Sequence, residues 1–209
     1  MQLPIRYRKG IPFFYDKPAL AFSNDPYEQY RAMVVRQTAL HLADELWGAY
    51  PFAALMNWCK AQLIEAPETI VDLGCGVGRL IGELALDHPK ADCWGIDYSY
   101  QMLKRANEYW VKNKIIELDW RERGFPVLKL KGKKCQNLQF GLSKAESLPF
   151  EAASIDCVVS FFLFDRLAAP TKMLAEVWRV LKSGGKLLLI TPFNFQSIKN
   201  WNLFYPISK

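Results

Sequence analysis

Three glycines spaced two residues apart constrain this chain more than any other feature. Residues 69–80 read TIVDLGCGVGRL: Ile70, Val71 and Leu73 form a short apolar run, Gly74, Gly76 and Gly78 follow, and Leu80, Ile81, Leu84 and Ala85 continue at helical spacing. Glycine adopts backbone angles closed to other residues and lets a ligand approach the main chain. A strand that runs into glycines and then into a helix is therefore a βα turn suited to ligand contact. Asp72 stands two residues before the first glycine.

From residue 69 onward, strand-like and helix-like runs alternate. Residues 69–73 lead to a helix over 78–87, which His88 and Pro89 end. Residues 91–96 (ADCWGI) run to Asp97, and a helix over 99–112 carries Met102, Leu103, Ala106 and Tyr109. A long connection over 113–136 contains an extra strand or hairpin around 127–130. Strand 137–142 precedes AESLPF, and strand 155–161 leads to Asp165. A helix over 170–181 ends at the C-cap signal Ser183-Gly184-Gly185, and strand 186–191 is stopped by Pro192. This alternation predicts an α/β fold, a parallel sheet with helices on both faces. Ligands of such sheets lie outside the carboxyl ends of the strands, which gathers 74–78, Asp97, 143–146 and 161–165 into one neighbourhood.

The first 67 residues follow another pattern. Residues 1–26 hold prolines and the aromatics Phe13, Phe14, Tyr15 and Phe22 without periodicity, and read as an ordered arm or lid. Asp25 is placed to cap, and Pro26 to open, a helix to about Trp47, with Tyr30, Met33, Val34, Ala39, Leu42 and Leu46 on its apolar face. A short helix over 52–64 follows, closed by Pro67. The expected organisation is an arm and helical cap over 1–67, packed in one compact unit with a sheet domain over 68–209.

Bulk properties exclude several classes. At 51% hydrophobic and 23% charged residues, the chain is able to bury a core and is not of a disordered type. No apolar run nears the roughly 18 residues that cross a bilayer. The basic N-terminus, broken by Pro4 and Pro12, lacks the apolar stretch of a signal peptide, so a cytoplasmic location without membrane partners is expected. Five cysteines, an odd number with no CxxC pair, fit reduced thiols. His41 and His88 lie too far apart in sequence to suggest zinc, and no metal is expected. The net charge of +6 is localised: residues 104–134 hold ten Lys/Arg against four Asp/Glu, and the rest of the chain is balanced at 17 of each. Such a stretch either attracts nucleic acid or is a solvated helix end and lysine-rich hairpin.

The turn itself discriminates between ligands. A dinucleotide sets its pyrophosphate on the helix N-terminus under a GxGxxG pattern. Here the pattern is GxGxG, and Arg79 stands where the third glycine would fall. The Asp72 carboxylate repels a pyrophosphate and attracts an ammonium group. Asp97 ends the second strand 23 residues after Gly74, where an acid accepts from both ribose hydroxyls. These residues ask for a nucleoside with a cationic tail and no phosphates, a description that S-adenosylmethionine meets. Trp94 and Trp178 read as core packing.

The segments VDLGCGVGRL, GIDYSYQML, AESLPFEAASIDCVVS and EVWRVLKSGGKLLLITP resemble, in order, the motifs of class I S-adenosylmethionine-dependent methyltransferases over about 69–192. The resemblance implies a Rossmann-like sheet and S-adenosylmethionine as cofactor. Asp72 with Gly74, Cys75, Gly76 and Gly78 would hold the methionine part and Asp97 the ribose. Tyr98 would lie along the adenine, Ala145 and Glu146 would border its edge, and Phe161 completes the cofactor set. The chain departs from the pattern at Lys144, where many relatives have Asp or Asn, and at Ser183, commonly Pro. The family sheet ends in two further strands, the last antiparallel. Since 17 residues follow Pro192, the C-terminal strands are expected to be missing or atypical.

Methyl transfer from a sulfonium is an in-line displacement with a neutral leaving group. The protein aligns an acceptor lone pair and excludes water, and a base is needed only where the acceptor must lose a proton. The residues placed to act are Asp165, Arg166, Tyr15, Asp16, Tyr27, Tyr30 and His41, of which Asp165 and Tyr15 are the expected catalytic pair. Neither Asn-Pro-Pro-Tyr nor Asp-Pro-Pro-Tyr follows the fourth strand, which speaks against amino-methylases of DNA bases and glutamine. Instead SFFLFDRLAAP, with YDKP and TPFNF, is similar to the methyltransferase module of ovothiol synthases, which methylate an imidazole nitrogen. That similarity implies a small nitrogenous acceptor oriented or deprotonated by Asp165, whose other role would be an ion pair with Arg166 or a neighbour. The aromatic arm either lines an acceptor pocket or staples the arm to the sheet. His41 reads as a packed or surface histidine. The alternatives are an RNA or protein methyltransferase using 104–134, and a non-catalytic methyltransferase-like binding protein.

Overall fold

The computed structural model describes residues 1–17, 26–29, 31–63 and 67–195. The expected cap Asp25, the aromatics Phe22 and Tyr30, and the helix end at Ile64 lie outside the described residues. The sheet is built from β1 (Arg6–Arg8), β2 (Ile11–Phe13), β3 (Thr69–Leu73), β4 (Asp92–Asp97), β7 (Leu138–Leu142), β8 (Ile155–Phe161) and β9 (Leu181–Ile190). Their order is β1-β2-β7-β4-β3-β8-β9, and only β1 runs antiparallel to its neighbour. The long connection after β4 and its helix does form a hairpin, β5 (Ile116–Leu118) with β6 (Leu128–Leu130).

β3 is central because it is apolar on both faces. Val71 and Leu73 point into one core with Trp94, Ile96 and Val177, and Ile70 points into the other with Ile81, Leu84 and Leu103. The two-residue alternation then puts Asp72 on the Ile70 face. β3 adjoins β4 on one side and β8 on the other, so the sheet changes its direction of growth there. The crevice outside the carboxyl ends at such a point is where α/β sheets bind ligands.

The helices are α1 (Pro26–Gln29), α2 (Arg31–Leu42), α3 (Ala53–Gln62), α4 (Arg79–Asp87), α5 (Tyr100–Ala106) and α6 (Pro170–Val180). α5 passes directly into a π-helical turn, Asn107–Val111. That turn brings Trp110 beneath the glycine loop, where its indole N–H donates to the Val77 carbonyl at 3.1 Å.

Four expectations change. The arm is not aperiodic: Lys9 and Gly10, both at positive φ, turn the chain between β1 and β2, and β2 joins the sheet edge at β7 through Phe13 opposite Leu142. Pro12 hides this strand from propensity, and burial of Ile11 and Phe13 decides it. The helix expected to reach Trp47 stops at Leu42, Ala43 leaves helical angles, and a 3-10 turn follows over Asp44–Leu46. β9 begins at Leu181 rather than 186, with Gly184 inside a bulge between the Ile155 and Cys157 pairings instead of capping a helix. Trp178 is 85% exposed on α6 and packs in no core, because Met173, Val177 and Val180 already form that helix's buried stripe.

Phe13 is almost completely buried and meets the Tyr100 ring at 5.6 Å. Phe13→Ala should lower the unfolding free energy by about 3 kcal/mol. A denaturant titration showing a loss below about 1 kcal/mol would mean that the hairpin is not part of the cooperative sheet.

Candidate active site

The loop after β3 is fixed by the strand beside it. The N–H groups of Gly74 and Cys75 both donate to the Ile96 carbonyl, at 2.8 and 3.1 Å. Gly74, Gly76 and Gly78 all adopt positive φ. At Gly78 a Cβ would also strike the Phe140 ring at 2.9 Å. At Gly76 a Cβ would meet nothing within 4 Å, so the backbone there borders open space.

Two carboxylates face this space. Asp97 accepts from the Gly76 N–H at 2.8 Å and from the Ser99 N–H at 2.7 Å, tying the loop after β3 to the turn after β4. Asp72 is buried, and burial, followed by the negative charge of Asp97, pushes its carboxyl up to about 8. A bond from the Ile81 N–H offsets this only in part. Tyr98 presents its ring to Lys17 Nζ at 4.1 Å. Lys144 lies over the Tyr15 ring at 4.3 Å, and the Tyr15 hydroxyl helps to raise its ammonium above the usual lysine value.

A cavity of about 830 Å³ joins these groups to a second wall. Asp72, Gly74, Cys75, Gly76, Asp97, Tyr98, Ala145, Glu146 and Phe161 of the expected cofactor set all line it. Gly78 is not among the lining residues; it sits at the start of α4 over Phe140 and Trp110. The expected catalytic residues lie behind the wall. Asp165 is buried and accepts from the Thr191 hydroxyl at 3.1 Å, and Tyr15 packs on Tyr98 with ring centroids 5.8 Å apart.

The second wall was largely hidden from the sequence. α2 contributes Arg36, Gln37, Leu40 and His41, and Tyr50 and Phe52 follow from the turn before α3. His41 is packed, as expected, yet it belongs to the cavity. Its Nδ1 lies 3.0 Å from the Tyr50 hydroxyl, and its ring stacks on Phe52 at 5.7 Å. Burial, then the Arg79 charge, lowers His41 to about 4, so its imidazole is neutral near pH 7. Burial raises the Tyr50 hydroxyl. Phe162 sits at φ 60, an unusual angle for a bulky residue, and its ring meets Phe52 at 5.3 Å. Arg79 joins the walls: Asp44 grips it with both oxygens at 2.7 and 3.0 Å, it donates to the His41 carbonyl, and it lies 4.3 Å over Tyr50.

Residues 71–189 match the family model described as a methyltransferase domain. The chain belongs to that family. It is 31% identical over 138 residues to a demethylmenaquinone methyltransferase of Deinococcus radiodurans, covering 64% of this chain and 48% of the relative. It is 29% identical over 136 residues to a malonyl-(acyl-carrier protein) O-methyltransferase of Legionella pneumophila, covering 64% and 40%. The chain thus spans about half the length, or less, of these curated relatives. The fold is that of a SAM-dependent methyltransferase of known structure from Aquifex aeolicus, with a TM-score of 0.53, 18% identity and coverage of 85% of this chain and 87% of that one.

The cofactor of this methyltransferase family is S-adenosylmethionine, and the residues present fit it. Gly76 leaves a cradle open beside main chain, Asp72 is a buried carboxyl that a bound cation would ionise, and Asp97, at the end of the neighbouring strand, lines the same cavity. A cationic ligand on Asp72 favours its ionised form, so binding should expel a proton below pH 8. Calorimetry of S-adenosylhomocysteine in buffers of different ionisation enthalpy should show release of about one proton at pH 7, with affinity rising toward pH 9. Affinity that is flat with pH would remove Asp72 from contact with the ligand. Gly76→Ala should weaken the same binding by about tenfold or more while costing the free protein only about 1–2 kcal/mol.

Proposed function

We propose that this protein transfers a methyl group from S-adenosylmethionine to a nitrogen of a small molecule. The observation that carries the reading is one continuous cavity, with Asp72, the Gly76 cradle and Asp97 at one end and His41, Tyr50, Phe52 and Phe162 at the other. Two ligands placed in it meet between the glycine loop and the aromatic wall. S-adenosylmethionine supplies an electrophilic methyl group on a sulfonium. The chain's own residues orient the acceptor and keep water out.

Support for nitrogen comes from the second wall, which among the described residues holds no strong base. Asp165 is turned to Thr191, and His41 is held near 4, too weak to ionise a phenol or a carbon acid. A neutral amine or imidazole nitrogen attacks through its lone pair without prior deprotonation. Neutral His41 and the Tyr50 hydroxyl position it by hydrogen bonds. Asp165 acts as a positioning residue for the segment bearing Phe162, and Tyr15 for Lys144 and Tyr98. The curated relatives act, by name, on a demethylmenaquinone and on a malonyl-acyl carrier protein; here the nitrogen reading rests on the wall and on the ovothiol-like segments. A polyanionic acceptor is less favoured: no residue of 104–134 lines the cavity, and Lys112, Lys114, Arg121 and Lys133 are bonded within the fold.

S-adenosylhomocysteine should bind at about 1–10 µM and raise thermal stability, by about 2.7 kcal/mol at a hundredfold excess over Kd. Asp97→Ala should weaken this binding by about tenfold or more and Asp165→Ala much less; the reverse order would refute the site layout. With methyl-labelled cofactor and metabolite pools, label should enter amines or imidazoles. Label confined to phenols or quinones would refute a nitrogen acceptor.

A further inference from the structure

The second wall carries positive charge that the described residues do not balance. Three arginines line the cavity: Arg36 on α2, Arg79 on α4 and Arg166 in the turn after β8. Arg79 is neutralised by Asp44, and Glu83 lies 3.5 Å from its Nε. The guanidinium groups of Arg36 and Arg166 meet no carboxylate and no hydrogen-bond acceptor among the described residues. Both side chains are exposed, so they stand at the cavity's rim.

The cavity's three acids do not serve them. Asp97 is engaged by two backbone N–H groups, Asp72 is buried beneath the glycine loop, and Glu146 acts on the Lys144 ammonium. All three lie at the cofactor end. Away from the glycine loop, the described lining holds aromatic faces, a neutral histidine, Gln37, aliphatic side chains such as Leu40 and Leu167, and the guanidinium forks of Arg36 and Arg166. An unpaired fork of this kind matches the oxygens of a carboxylate or phosphate, which it binds through paired charge-assisted hydrogen bonds. A cationic acceptor would be repelled at the rim, and a neutral one would leave the forks to water, gaining nothing from their charge.

We infer that Arg36 and Arg166 select the substrate: the methyl acceptor is a small oxyanion whose carboxylate or phosphate meets these arginines while its apolar body lies against Phe52 and Phe162. The inference rests on the transferase reading of the cavity, and it adds the charge of the acceptor. It makes Arg36 and Arg166 specificity determinants rather than catalytic residues.

The test is a binding titration on protein saturated with S-adenosylhomocysteine, using benzoate, phenyl phosphate and benzamide as probes that share one ring and differ in charge. One of the two anions should bind about tenfold or more tighter than benzamide, and which anion wins identifies the acidic group. The R36M/R166M double variant should lose that preference, each single variant should lose part of it, and all should keep the melting shift with S-adenosylhomocysteine. Benzamide binding as well as both anions, no binding by any probe up to about 20 mM, or a preference that survives the double substitution would overturn the inference. Absence of the S-adenosylhomocysteine melting shift in the unaltered protein is a separate result, and it would remove the cofactor reading beneath the inference.

Discussion

One carboxylate organises the ligand-binding edge of the sheet. Asp97 accepts the Gly76 N–H with one oxygen and the Ser99 N–H with the other, and so joins the turns after β3 and β4. Bonds from N–H to an ionised acid are among the stronger ones in proteins. Their geometry follows from strand pairing: Leu73 lies opposite Ile96, and the Ile96 carbonyl receives the next two N–H groups of the loop. With the loop so placed, α4 leaves in a fixed direction. Ser99, oriented by the same acid, caps α5 by accepting from the Met102 N–H. The π turn at the end of α5 then supplies Trp110, which supports the loop from below through Val77.

Placing a second acid beside the first works against the ligand-free fold. Asp72 is buried, and its charge faces that of Asp97, so the free protein holds a proton on Asp72 up to about pH 8. The carboxyl's folded value is raised above its unfolded one. Its contribution to stability is therefore complete only at acid pH, below the unfolded value, and is lost as pH rises toward 8. Packing alone gives no reason for a buried acid at the centre of the sheet, since an uncharged side chain of similar size would not carry this penalty. A cation bound in the cavity removes the penalty. Binding of a cation and stability are thus linked through one side chain.

The sheet domain was legible because its signals are local. Apolar runs, glycines and strand-end acids each announce an element or a site within a few residues, and Asp72, Gly76 and Asp97 came together as expected. The second wall was not legible, because it is assembled from residues with no pattern of their own. Arg36, His41, Tyr50 and Phe52 meet only because α2 and α3 fold over the loop, and a sequence cannot show which face of a helix with almost no amphipathic character turns inward. The edge hairpin was lost for a similar reason: three-residue strands, one with Pro12 at its middle, are decided by what they pack against. Trp178 failed in the opposite sense. It looked like core by type, but the helical period puts it outside the stripe of Met173, Val177 and Val180.

The cap is bound to the sheet by charges rather than by apolar surface alone, and this constrains how the two walls move. Lys17 and Glu28 form an ion pair with side chains 0% and 4% exposed, and Lys17 also donates to the Tyr98 carbonyl while Glu28 accepts from the Tyr100 N–H. Arg79 and Asp44 make a more exposed bridge at the other turn, with the Asp44 side chain open to solvent. Buried ion pairs add little stability over well-packed apolar side chains, but breaking one leaves an uncompensated charge. Their use here is positional. One bridge ends on the turn that holds Asp97, and the other on the helix that begins at the glycine loop. A displacement of the helical wall therefore strains the glycine-loop wall. The two walls of the cavity are set relative to one another by these two bridges.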